Sequence, residues 1–369
     1  MSTFFECAMG IHWVWSVFWL AVASPIAPAP SPVTVTFHGA ADVSAVAVID
    51  AHLIAVADDE DNVLRIYSVS GGGPKATLDV TAFLQVDHNF PEADIEAAAR
   101  VGDRIYWITS HGRNKDGKLR PSRYRFFATE VRSNEKVVSL NAVGRPYKTL
   151  LAQLLVAKSL EGLGLGEAAG VDQVKVGTKK KGRKKLAPKD EGLNIEGLCA
   201  SADGRSLYIG FRNPIPKGRA LIVPLENPAA VIEEGRPAAL GKPLLWDLGG
   251  LGVRDLAYVE GLQGYFIIAG PQDEARRFAL YRWSGKTEDQ PVKVRDMGSE
   301  PTDFTPEALV GFGKDKGLLI LSDDGSREVE VAGPHECKEG EYLGSGKCLN
   351  KSLLDHSRKT FRGLWLSID

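Results

Sequence analysis

Asn194-Ile195-Glu196-Gly197-Leu198-Cys199-Ala200, then Ser206-Leu207-Tyr208-Ile209-Gly210-Phe211-Arg212-Asn213-Pro214, then Ala220-Leu221-Ile222-Val223-Pro224-Leu225 is the stretch that decides the fold. Each run is short and apolar, and Gly, Pro, Asp or Asn separates it from the next, the pattern of strands joined by turns. No helical spacing intervenes. A fourth segment, 243–248, completes a unit of four antiparallel strands.

The same order recurs on both sides. Copies run over 45–49, 53–57 and 63–69, over 95–101, 104–109 and 123–131, and over 256–259, 265–269 and 279–283. A further copy has 307–312 and 318–321, then a long loop before 361–368, and the segments 136–140 and 292–297 add fourth strands. Four-stranded antiparallel units repeated without crossover helices describe an all-β chain of propeller blades. Five blades are clear. The copies open near Ser44, Glu96, Glu196, Asp255 and Glu307, and the second gap is about twice the others, so a sixth blade has room there. In that gap Leu150, Leu151, Leu154 and Leu155 sit at helical spacing within 147–160, which predicts an amphipathic helix in an insertion over about 142–192. At this level five and six blades both stay open. The alternating segment 33–37 is expected to complete the last blade beside 361–368, giving one domain over 33–369.

The chain has 369 residues, 44% of them hydrophobic and 25% charged, with 45 Lys+Arg against 47 Asp+Glu. This balance excludes wholesale disorder, a polytopic membrane protein and a generically basic nucleic-acid binder. Residues 1–23 carry an apolar stretch ending in Ala21-Val22-Ala23, and 24–32 are Pro- and Ala-rich, which reads as a secretory leader and linker although residues 1–10 hold no Lys or Arg. A periplasmic or secreted protein is expected, with no membrane contact beyond that segment, and a monomer. Cys337 and Cys348 lie in a Gly- and Lys-rich loop over about 333–351 and are expected to form a disulfide, with His335, Glu336 and His356 leaving zinc as a second reading. Cys199 reads as a small buried residue. The basic run 179–185 reads as a solvated loop without interleaved aromatics, so no nucleic acid is expected.

In a propeller the opening of each first strand and the end of each second strand share one face. Asp94, Glu96, Asn194, Glu196, Arg254, Asp255 and Glu307 open first strands, while Asp58, Asp59, His111, Arg113, Arg212, Asn213, Asp323 and Asp324 close second strands. Carboxylates converging from several blades need a positive partner. A calcium ion on Glu96, Glu196, Asp255 and Glu307 is one reading, since hard cations take flexible oxygen shells. A structural ring with Arg113, Arg123, Arg212 and Arg254 is the second, and metal-free acid/base catalysis by Glu96, Glu196 or His111 the third. For a small anionic ester, Arg113, Arg212, Asn213 and Arg254 would bind the substrate. Gly344-Ser345-Gly346-Lys347 fails as a phosphate loop, because position 341 is Glu and Cys348 stands where Ser or Thr is needed.

Asp94-Ile95-Glu96-Ala97-Ala98, Asn194-Ile195-Glu196-Gly197-Leu198, Gly210-Phe211-Arg212-Asn213-Pro214 and Pro306-Glu307-Ala308-Leu309 resemble an uncharacterised bacterial family of a domain of unknown function, related at the motif level to the phytase-like, esterase-like propellers. The likeness covers about 40–330. It implies a secreted propeller with acids in its channel and metal-dependent ester or phosphoester hydrolysis, and carries over no established catalytic residue. A non-catalytic scaffold for a ligand or protein partner, and a calcium-dependent lactonase, are the alternatives.

Overall fold

Strands buried on both faces must find neighbours on both faces, and here they do so by standing around an axis. In the computed structural model, which describes Met1 and residues 33–134, 137–171, 179–273, 275–298, 303–313 and 317–368, five four-stranded antiparallel sheets follow one another. The leader and linker expected over 1–23 and 24–32 lie outside the described residues, apart from Met1. Blade I is Val43–Val48, Leu53–Asp58, Val63–Ser68 and Ala76–Asp79; blade II is Ile95–Val101, Arg104–Thr109, Phe126–Ser133 and Val138–Tyr147. Blade III is Asn194–Ala200, Leu207–Asn213, Ala220–Leu225 and Leu244–Trp246; blade IV is Gly252–Val259, Gly264–Gly270, Ala279–Trp283 and Val292–Asp296. Blade V takes Pro306–Gly311, Leu318–Ser322 and Thr360–Leu366 from the C-terminal part and Val33–His38 from the other end of the chain.

Each innermost strand packs against the innermost strands of the two flanking blades, and that of blade V packs against that of blade I. Among the described residues the ring therefore closes at five. The space where a sixth blade had room holds the insertion instead, with helices at Leu150–Val156, Leu165–Ala169 and Lys180–Arg183. It begins later than expected, because the outer strand of blade II continues to Tyr147. Leu150 and Leu154 are buried against Phe126 of blade II and Phe211 of blade III, so the insertion covers that junction.

The apolar core is distributed rather than central. One cluster fills each junction: Ala55 and Leu64 with Trp107 and Phe127 between I and II, Ile209 and Leu221 with Ile108 between II and III, Ile222 and Trp246 with Ile267 and Trp283 between III and IV. Phe266 and Leu280 meet Ile320 and Leu364 between IV and V, and Val46 and Ile54 meet Phe37, Leu321 and Phe361 between V and I. Close approach demands small residues at one junction: a Cβ on Gly197 would lie 2.6 Å from Leu256 Cδ2, and one on Gly210 2.7 Å from Val253 Cγ1. Cys199 is a buried free thiol of the III–IV cluster.

The long loop of blade V folds into a small cap, a sheet ordered Glu328–Glu330, Lys347–Leu349, Tyr342–Gly344. Cys337 and Cys348 pack together with Val331 and Leu353 beneath it. Both are free thiols in hydrogen-bond contact with each other, so the expected bridge is not formed in this structure. Among the described residues, no helix is long and apolar enough to cross a membrane.

Candidate functional site

Every innermost strand carries a one-residue bulge near its start. Pairing steps from Val43↔Asp58 to Ala45↔Ala57, from Ile95↔Thr109 to Ala97↔Ile108, from Ile195↔Phe211 to Gly197↔Gly210, from Val253↔Ala269 to Asp255↔Ile268 and from Pro306↔Ser322 to Ala308↔Leu321. The residues skipped are Ser44, Glu96, Glu196, Arg254 and Glu307. A bulge re-aims the side chain that it frees from the ladder. These five occupy equivalent positions, and four of them are charged.

The bulge also corrects one expected site residue. Asp255 sits one position past the freed residue, so it turns away from the channel: its Oδ1 accepts from the Leu256 amide at 2.8 Å and its Oδ2 from the Leu309 amide at 2.7 Å. It latches blade IV to blade V, and burial raises its pKa well above the ordinary range. Arg254 takes the channel position instead.

On the side of blades III to V the channel is ion-paired. Arg254 Nη1 lies 3.1 Å from Glu196 Oε2 and 2.5 Å from Glu307 Oε1. Glu196 Oε1 also accepts from Arg212 Nη1 at 2.9 Å and from Asn194 Nδ2 at 2.6 Å. A four-acid ion on Glu96, Glu196, Asp255 and Glu307 is thus not what this ring holds; two of those acids share a guanidinium. Gly270 leaves room for it, since a Cβ there would stand 2.7 Å from Arg254 Cγ. Glu307 Oε2 is buried without a hydrogen-bond partner. Burial first, then the charges of Glu196 and Asp323, push the Glu307 carboxyl up to about 8 against the opposing pull of Arg254.

On the side of blades I and II the balance reverses. Asp59, Asp94 and Glu96 bring carboxylate oxygens within 4.8 Å of one another. Asp94, at φ 60°, binds Arg123 Nη1 through Oδ2 at 2.7 Å, and Arg123 also pairs with Glu92. Glu96 is buried and has no ion pair among the described residues, although the Arg123 charge opposes the rise in its pKa. Burial, then the charges of Asp94, Glu196 and Glu307, raise its pKa well above the ordinary value. Asp59, also raised by burial and by Asp42 and Glu96, keeps Oδ1 buried and unpartnered.

Several expected binding residues are occupied by the fold. Arg212 donates through Nε to Pro271 O at 3.1 Å and through Nη2 to Gln272 O at 2.7 Å. Arg113 donates to Ala169 O, Gly170 O and Gly117 O, holding the insertion. Both are corrected from anion clamps to structural ties, because their donors already have acceptors. Asn213 Nδ2 donates to Pro188 O at 2.7 Å. His111, expected as a catalytic candidate, sits at φ 51° with Nδ1 2.8 Å from Thr109 O and its ring edge-on to Tyr124. Burial lowers its pKa to about 4, and no channel acid pairs with it. Asp58 caps the amides of Ala41 and Glu60, and Asp324 takes Arg362 in a two-point pair. Asp323 accepts from the Gly325 amide.

Asp42, Glu60 and Glu92 were not picked out by the sequence reading. One signal was present for Asp42: it precedes Ser44 by two, as Asp94 precedes Glu96 and Asn194 precedes Glu196. A cavity of about 470 Å³ opens at the opposite end of the ring, between the ends of the innermost strands. Its one guanidinium, Arg100, donates to Val48 O and Gly102 O, so the chemistry stays with the acids.

The raised acids fix a pH response. Glu92, pushed up to about 7 by burial and Asp94, and Glu307, at about 8, hold protons that the unfolded chain, with glutamates near roughly 4.3, has released. Their contribution is present at low pH and lost as pH rises through 7 and 8. In the absence of divalent cations the melting temperature is expected to fall from pH 6.5 to 9; a flat or rising profile would contradict these environments.

A family profile described as "Protein of unknown function (DUF3616)" matches residues 173–327. No curated protein matches this chain. Among solved structures, a putative oxidoreductase (glucose dehydrogenase) of Thermus thermophilus shares 12% identity over 90% of this chain and 99% of its own, with TM-score 0.41. The PQQ-bound aldose sugar dehydrogenase of Streptomyces coelicolor shares 12% over 91% and 99%, TM-score 0.42. Virginiamycin B lyase of Staphylococcus aureus shares 7% over 91% and 100%, TM-score 0.38. Likeness at this level carries no activity to this chain.

Proposed function

We propose that this chain is an exported metal-dependent hydrolase of small anionic esters, with a calcium-type cation held by Asp59, Asp94 and Glu96 at the channel mouth. One observation carries the reading: three carboxylates converge on one point, one of them with a buried oxygen that has no partner, and only Asp94 has an ion pair. Burying like charges this close is costly unless a cation joins them, and an all-oxygen set suits a hard one. Bound there, such an ion would polarise an ester oxygen and acidify a water. Arg123 and Arg254, each committed to two carboxylates, keep a buried Nε without an acceptor, the donor each has left for the substrate's anionic group. Glu307 keeps its proton up to about pH 8 and is placed to supply one. The resemblance of these motifs to phytase-like propellers supports the ester class.

Calcium at about 100 times its Kd is expected to add roughly 2.7 kcal/mol of stability. Glu96→Gln is expected to abolish that increment while raising the melting temperature of the metal-free protein, because it removes an acid whose ionisation burial and the neighbouring carboxylates disfavour. If calcium leaves the wild-type melting temperature unchanged, the metal reading fails. A panel of phosphate esters, carboxylic esters and lactones with and without calcium separates hydrolase from lactonase. A second reading, a non-catalytic ligand scaffold, is favoured by the way Arg212 is spent on backbone carbonyls; it predicts calcium binding with no turnover across the panel.

A further inference from the structure

Beside the Asp59/Asp94/Glu96 cluster lies a second one, Asp42, Asp59 and Glu60, whose carboxylate oxygens also fall within 4.8 Å of one another. The two clusters share Asp59. A carboxylate common to two oxygen sets is the arrangement that bridges neighbouring ions in two-metal sites. Each set carries one side-chain cation: Arg123 pairs with Asp94 in the first, whereas in the second an ammonium reaches two of the three acids. Lys351 Nζ lies 2.8 Å from Glu60 Oε1 and 3.7 Å from Asp42 Oδ1. Asp42 is 5% exposed, and its Oδ2 is buried with no hydrogen-bond partner, so the ammonium satisfies this carboxylate incompletely.

The position of Lys351 is built, not incidental. It follows the cap strand Lys347–Leu349, and its amide donates to Gly325 O at 3.1 Å. The preceding Asn350 donates through Nδ2 to Asp324 O and Thr360 O, tying the segment to blade V. Lys338, from the same cap, stands 3.5 Å from Glu60 Oε2. The cap of blade V thereby delivers an ammonium onto acids that belong to blade I.

We propose that Lys351 is a tethered counter-cation that occupies the second of two adjacent cation positions, limiting the channel mouth to one divalent ion, and that its removal turns Asp42, Asp59 and Glu60 into a second divalent-cation site. The proposal rests on the reading of Asp59, Asp94 and Glu96 as the first position. Lysine is suited to the role, since its compact, strongly hydrated charge resembles a small ion more than a guanidinium does.

Calorimetric titration with calcium tests it on the full chain. The wild type is expected to bind one equivalent, Lys351→Met two, and Glu96→Gln/Lys351→Met one. Lys351→Met binding no more calcium than the wild type overturns the proposal. A wild type that binds none beside a Lys351→Met that binds one removes the hydrolase centre while upholding the tethered cation, so the two failures are distinguishable. Should Lys351→Met fail to fold, Lys351→Gln, whose amide can still donate to Glu60, is titrated in its place with the same expected gain.

Discussion

A chain beginning at residue 39 is expected to lose its cooperative melt, whereas one beginning at residue 33 retains it. Val33–His38 pairs along its whole length with Thr360–Leu366, from Val33↔Trp365 to His38↔Thr360. Phe37 is fully buried and stacks on Phe361 with centroids 4.6 Å apart, while Tyr67 of blade I meets both rings edge-on and donates to His38 O at 2.9 Å. The strand also reaches blade I directly: His38 N donates to Gly72 O, and Gly72 N to Thr36 O. Loss of a buried Phe alone costs about 3–5 kcal/mol. Adding the lost ladder and the exposed edge brings the total into the range of a whole domain's stability, about 5–15 kcal/mol. Thermal unfolding followed by circular dichroism decides it; a chain beginning at 39 with the wild-type transition would show that the ring does not depend on this closure.

The second large effect is expected at Arg254. Its guanidinium is the shared partner of Glu196 and Glu307, all three drawn from the bulges of three successive blades. Arg254→Met keeps most of the volume and leaves Glu196 buried without this cation, beside a Glu307 whose ionisation is disfavoured further. Removing one partner of a buried pair costs about 3–5 kcal/mol. Arg254→Met/Glu307→Gln is expected to recover part of that loss, because an acid that must be held protonated beside Glu196 goes with it. Denaturant titration of wild type, both single variants and the double variant measures the coupling. Arg254→Met with an unchanged midpoint would mean that these charges are relieved elsewhere.

What the sequence made legible follows from burial. First and second strands are buried on both faces, so they read as continuous apolar runs wherever they occur, and the five copies stood out. Fourth strands such as Val292–Asp296 are exposed throughout and carry little of that signal. The blade count stayed open because the leucines of 150–155 register a covering helix without saying what it covers; only the packing of Leu150 and Leu154 onto Phe126 and Phe211 does that. Asp255 is an acid standing where the repeat places one. A bulge cannot be seen in an alternation of types, and one slipped residue exchanged Asp255 for Arg254. Arg113 and Arg212 read as free donors because most of their acceptors are backbone carbonyls, which no side-chain pattern records. Lys351 lay 291 residues from its partner Glu60, joined only by ring closure.

The recurring bulge also bears on how such a protein can change. A side chain freed from the ladder contributes little to strand pairing, so Ser, Glu and Arg occupy the same position in different blades over similar frames. The five positions behave as interchangeable sockets on one chassis. Ser44, whose hydroxyl merely donates to Ile95 O, is the socket with the least invested in it. The blades carry the packing, and these five positions set the chemistry of the channel.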